Sequence, residues 1–142
     1  MLLPLQACTG RTITGIRRVW FEFRGQYDQT VGPLEMTFDN GAAVVLDAAA
    51  NGQSLVVKVG TWEDPFEGKM TPENRQFVQS SGKWSAVDVR HASPYVDLVG
   101  ERLTGVTPIS VGQDDVTGAI MTIGKHEVRA EVEADNLVVN IA

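Results

Sequence analysis

His91, His126 and Cys8 are the only imidazole and thiol side chains in the chain. Neither histidine has a second imidazole or a carboxylate at metal-ligand spacing on a shared face, so no zinc or copper site is expected. His126 sits in Lys125-His126-Glu127 at a turn, where an exposed, solvated ring is expected. His91 follows Arg90 at the end of a strand and is read as orienting a loop. Cys8 lies in an apolar segment with no histidine nearby, and no Gly-x-Ser-x-Gly elbow occurs. Nucleophilic hydrolysis therefore has no support, and Cys8 reads as a small buried residue.

Carboxylates are the polar resource in surplus, at Glu63, Asp64, Glu67, Asp114, Asp115 and through residues 131–135. A pair across a cleft could run glycosidic acid/base chemistry, and an Asp-rich loop could hold calcium. The 112–118 segment lacks the alternating oxygen ligands of a calcium loop and reads as a solvated turn. Glu131 and Glu133 flank Val132 at alternate positions, as on the wet face of an edge strand. No catalytic residue, metal ligand or cofactor is assigned, and an enzyme is not expected.

The stretch 60–68, Gly-Thr-Trp-Glu-Asp-Pro-Phe-Glu-Gly, sets two large aromatics among three carboxylates between glycines. Two readings stay open. Trp62 and Phe66 could tuck under a sheet as a satellite core. Alternatively, they supply the desolvated contact of a binding surface on which Glu63, Asp64 and Glu67 steer a basic partner.

The bulk composition narrows the partner. Eighteen acidic against twelve basic residues give a formal charge of −6, which repels polyphosphate, so no nucleic-acid binding is expected. A single cysteine allows no internal disulfide, which fits a reducing cytoplasm. Leu5-Gln6-Ala7-Cys8 loosely matches a lipoprotein cleavage box, but only four residues of apolar lead precede it. That match is read as coincidence. No apolar run approaches the roughly 20 residues that span a bilayer, so no membrane association is expected.

The elements that must carry these residues are mostly strands. Residues 12–23 are dense in β-branched and aromatic types, with a kink expected at Gly15. Residues 34–38 alternate and run into Asn40-Gly41, a hairpin signal, with 42–47 returning and 54–59 following. Residues 25–33 read as a polar, turn-rich connection. Thr71-Pro72 reads as an N-cap with proline at the first helical position, predicting a short helix over 72–79. Further strands are predicted over 84–89, 103–111, 119–123, 127–132 and 137–141, with a short extended piece over 95–99. About nine short strands and one helix, with no βαβ alternation, predict an all-β fold: a sandwich or partly closed barrel in one domain, 1–142.

An internal echo orders these strands. Gly10-Arg11-Thr12-Ile13-Thr14-Gly15-Ile16 is answered by Gly100-Glu101-Arg102-Leu103-Thr104-Gly105-Val106. Met36-Thr37-Phe38 is then answered by Met121-Thr122-Ile123, and residues 54–59 by residues 136–141. The prediction is two related antiparallel β units, 10–59 and 100–141, around a divergent insert, 60–95. The insert is where the halves differ, and function is expected there.

With its Phe38-Asp39-Asn40-Gly41 hairpin, duplicated strand unit and small acidic all-β build, the chain resembles bacterial immunity proteins encoded beside polymorphic or contact-delivered toxins. The resemblance implies a cytoplasmic inhibitor that binds one cognate protein toxin, with a basic surface expected on that toxin, and performs no chemistry. The alternative is a small-ligand carrier or sensor with an apolar pocket between β-sheets.

Overall fold

A computed structural model describes residues 2–112 and 115–142. Asp114, part of the acidic segment weighed above, lies outside them. Among the described residues the architecture is two antiparallel sheets packed face to face, with no closed barrel. A four-residue helix, α1 (Leu3–Gln6), precedes the first strand and buries Leu5. The first sheet contains β1 (Ile13–Phe23), β2 (Gln26–Asp28), β3 (Leu34–Phe38), β4 (Ala43–Ala48), β5 (Leu55–Val59) and β6 (Lys83–Asp88). The second is a meander of β7 (Leu103–Val111), β8 (Asp115–Ile123), β9 (His126–Glu133) and β10 (Asn136–Ile141). Among the described residues, no helix is long and apolar enough to cross a membrane.

β1 organises the first sheet. Arg17 and Arg18 pair with β3 on one side and β6 on the other, while Phe21 and Glu22 pair with β2 and β6. β2 and β3 therefore run along one edge of β1, and β6 covers the opposite edge.

Alternation along β1 sends Ile16, Arg18 and Trp20 inward and Arg17, Val19 and Phe21 outward. The inward residues join Met36, Phe38, Leu46, Met121, Ile123 and Leu137 among others, most of them in one buried apolar cluster drawn from both sheets.

The echo has a geometric meaning. Thr14-Gly15 and Thr104-Gly105 each sit at a shift in register, between Ile13 and Gly15 in β1 and between Leu103 and Gly105 in β7. Gly15 faces Thr37 and Gly105 faces Thr122; Ile16 then faces Met36 and Val106 faces Met121. Each threonine hydroxyl donates to the carbonyl of the facing threonine, at 3.3 and 3.4 Å. The two bends also touch reciprocally: Ile13 N–H donates to Glu101 O (2.9 Å) and Leu103 N–H to Arg11 O (3.0 Å). An isolated bridge between Thr12 and Arg102 lies at the centre. Matched bulges thus bring β1 and β7 together at the Thr12–Arg102 bridge.

Several local expectations need correction. Residues 26–28, read as part of a turn, form β2, because Arg24 and Gly25 both adopt positive φ (52° and 77°) and close a two-residue hairpin. β8 begins at Asp115, so the expected reversal is partly strand. The helix α2 (Pro72–Ser81) runs two residues past its predicted end. Residues 95–97 are a 3₁₀ turn, not an extended piece.

Candidate functional site

The loop that opens the insert lies against the outward face of the first sheet, and a buried carboxylate holds it there. Glu35 faces Arg17 across the β1–β3 ladder, so both side chains stand on that face. Arg17 donates from Nε and Nη2 to the two Glu35 oxygens, each at 2.7 Å, a bidentate pair. Trp62 N–H donates to Glu35 Oε2 (2.7 Å), and Trp62 O accepts from Arg17 Nη2 (3.1 Å). The loop after β5 is therefore anchored by its backbone, not its ring. The Glu35 bonds hold the Arg17 pKa above its ordinary value against the opposing effect of burial. Val19 and Val45, also outward by alternation, are buried. Each contributes about 1.5–3 kcal/mol by leaving water.

Beyond Trp62 the loop folds on itself. Asp64 accepts from Phe66 N–H at 2.8 Å and pairs with Lys83 Nζ. Burial pushes the Asp64 pKa up, but the bonds from Lys83 and Phe66 outweigh it and hold the carboxyl below its usual range. Lys83 Nζ also lies 5.8 Å from the centre of the Phe66 ring. Thr71 caps α2 by accepting from Asn74 N–H at 3.1 Å, as its sequence predicts. α2 contains no buried residue. It touches the loop where Phe77 meets Phe66, ring centres 6.1 Å apart. Gly82 ends the helix at φ 77°, donating to Val78 O (2.8 Å). A Cβ there would lie 2.6 Å from Glu22 O, so only glycine brings the chain this close to β1 before it enters β6.

Between the loop, α2, the outward face and the β9–β10 turn lies a cleft of about 680 Å³. Its walls carry the rings of Phe21, Trp62, Phe66, Phe77 and Trp84. Phe21 and Trp84 pack edge to face with centres 5.5 Å apart. Phe77 keeps 53% of its surface exposed and Trp84 37%, although an interior is close by. Asp47, Glu63 and Asp135 line the same cleft. Burial raises the Asp47 pKa, opposed by Ala48 N–H and by Lys58 at 3.9 Å.

The five residues expected to meet a partner separate here. Trp62, Glu63 and Phe66 line the cleft. Asp64 and Glu67 line a polar depression of about 480 Å³ with Arg17 and Lys83, and Asp64 is committed to Lys83. The two readings of the aromatics merge, since Trp62 and Phe66 are each half-buried, neither core nor free. Phe77, Trp84, Asp47 and Asp135 also line the cleft and are not among the residues singled out from the sequence. The first two fall inside the 60–95 insert that the echo sets apart, which was the available signal. Asp47 and Asp135 arrive through pairing and turn geometry that no local pattern announces.

A second polar cluster is structural. Arg18, 1% exposed, donates to Tyr95 Oη (2.7 Å), Gly32 O (2.9 Å) and Pro33 O (3.4 Å), and lies over the rings of Trp20 and Tyr95. It ties β1 to the connection that leads into β3 and to the 3₁₀ turn. His91 is exposed, and His126 Nδ1 lies 3.3 Å from Ala142 O. Cys8 is buried, its Sγ 3.5 Å from Pro4 O; burial raises its pKa, partly offset by Arg11. Among the described residues no group of three or more His, Cys, Asp and Glu side chains could hold a metal ion.

No protein-family model, curated protein or solved structure matches this chain.

Proposed function

We propose that the chain is a non-catalytic protein-binding module that engages its partner through the aromatic cleft of the insert. In the role its resemblance implies, it is an immunity protein that neutralises a cognate toxin in the cytoplasm. The observation that carries the binding reading is the gathering of five rings into one open cleft with Phe77 and Trp84 still half in water. Such rings, already positioned, lose little conformational freedom on binding and become the anchors of an interface. The test is co-expression with the product of a toxin-type reading frame adjacent to its gene. Rescue of growth, with a complex that survives gel filtration at micromolar concentration, is expected. Continued toxicity without a complex overturns the immunity role.

The cleft volume also favours a second reading. About 680 Å³ lies within the range of small-ligand sites, roughly 300–1,000 Å³. A carrier would use this cleft outside the first sheet, since residues such as Met36, Phe38 and Met121 occupy the space between the sheets. Native mass spectrometry of freshly purified protein decides: a retained small molecule supports the carrier, and a clean apo mass counts against it.

A further inference from the structure

We infer that the cleft takes a basic side chain of the protein partner, arginine or lysine. This inference rests on the binding reading and names the chemistry of the occupant. The rings of Trp62, Phe66, Phe77 and Trp84 offer faces whose quadrupole is negative at the centre, which attracts a cation as well as an apolar chain. The long stem of a basic side chain covers such a surface while its charged head reaches the rim.

The rim supplies the charge. Three carboxylates, Asp47, Glu63 and Asp135, line the cleft with one cation, Lys83. Lys83 is already bound to Asp64. Among the described residues, no ion pair involves Glu63 or Asp135, and Asp47 meets only Lys58, at 3.9 Å. Glu63 and Asp135 therefore give the cleft negative charge that no ion pair among the described residues neutralises. An anionic occupant would be repelled, and a neutral apolar one would leave these carboxylates partly desolvated and unmatched.

Lys83 shows within the chain the recognition that the cleft offers an outside cation. Its ammonium sits over Phe66 while Asp64 binds it. An incoming arginine would reproduce that arrangement on the other rings, with Glu63 or Asp135 in the place of Asp64. Arginine stacks on rings and meets carboxylates in a fork, so it is expected to bind better than lysine.

The experiment uses the full chain and matched peptides, Ac-Ala-Leu-Arg-Leu-NH2 and its citrulline counterpart, which removes the charge and keeps the shape. Backbone amide shifts and tryptophan fluorescence report binding at Trp62 and Trp84. The arginine peptide should bind about five- to tenfold more tightly than the citrulline peptide, and the gap should narrow with added salt. Glu63→Gln combined with Asp135→Asn keeps size and turn geometry and should remove most of that preference. Equal binding of the two peptides, or no shifts at cleft residues at millimolar peptide, overturns the inference.

The partner protein separates this failure from that of the underlying reading. If the double variant binds the partner as wild type does while Trp84→Ala does not, the cleft remains the docking face and only the cation is wrong. If both variants bind as wild type does, the cleft is not the docking face.

Discussion

Replacing Glu35 by alanine removes the anchor of the insert. The Glu35 side chain is 4% exposed and accepts three bonds of 2.7 Å, two from Arg17 and one from Trp62 N–H. Breaking a buried ion pair costs roughly 3–5 kcal/mol, because the remaining charge is stranded. Arg17, with 36% of its side chain exposed, can recover water, which lowers the figure. The orphaned Trp62 N–H adds back about 1 kcal/mol. A net loss of about 2–4 kcal/mol follows, or roughly 1–2 M in the urea midpoint for a domain of this size.

Urea unfolding followed by fluorescence reads the stability, and amide exchange at residues 60–68 reads the loop, which should become unprotected. Arg17→Met with Glu35→Leu removes both charges together and should recover much of the loss. A Glu35→Ala midpoint close to that of wild type would refute the claim that this pair holds the insert to the sheet.

Gly82→Ala should cost at least about 1–2 kcal/mol and loosen α2, since φ is 77° and a Cβ meets Glu22 O at 2.6 Å; thermal melts and helix-amide exchange check it. Ala134→Asn should stabilise by about 0.5–1 kcal/mol, because Ala134 (φ 49°) and Asp135 (φ 72°) form a left-handed hairpin turn that asparagine tolerates; urea midpoints measure the gain. Asp47→Asn should raise the melting temperature at pH 7. The folded pKa of Asp47 is raised, so the ionised form destabilises the native state, and the cost fades as pH falls through that pKa. The advantage of the variant should therefore vanish in acid, and melting curves from pH 7 to pH 3 show whether it does.

The strands were legible where alternation and turn chemistry agreed. Residues 34–38 with Asn40-Gly41 mark one hairpin, and both Thr-Gly bends are visible as a repeated string before their matched bulges are seen. β2 was hidden because its three residues are all exposed, and its turn relies on Arg24 at positive φ. The site was half legible. Trp62, Glu63 and Phe66 declare themselves by composition, whereas Glu35 reads as an ordinary alternating strand residue. Its importance comes from facing Arg17 in register and lying under a loop that returns from the far edge of the sheet. Asp135 reaches the cleft from the second sheet. Long-range placement of that kind leaves no periodic trace in the chain.

The central claim is that the insert's aromatic cleft is the partner-binding face. The affinity of the Phe77→Ala, Trp84→Ala double variant for the proposed partner protein, measured beside its melting temperature, tests this most directly. Affinity should fall by at least about tenfold at a temperature where the variant is still folded; Trp84 packs on Phe21 and Phe77 on Phe66, so the melting temperature should drop as well. Wild-type affinity in that variant would contradict the account.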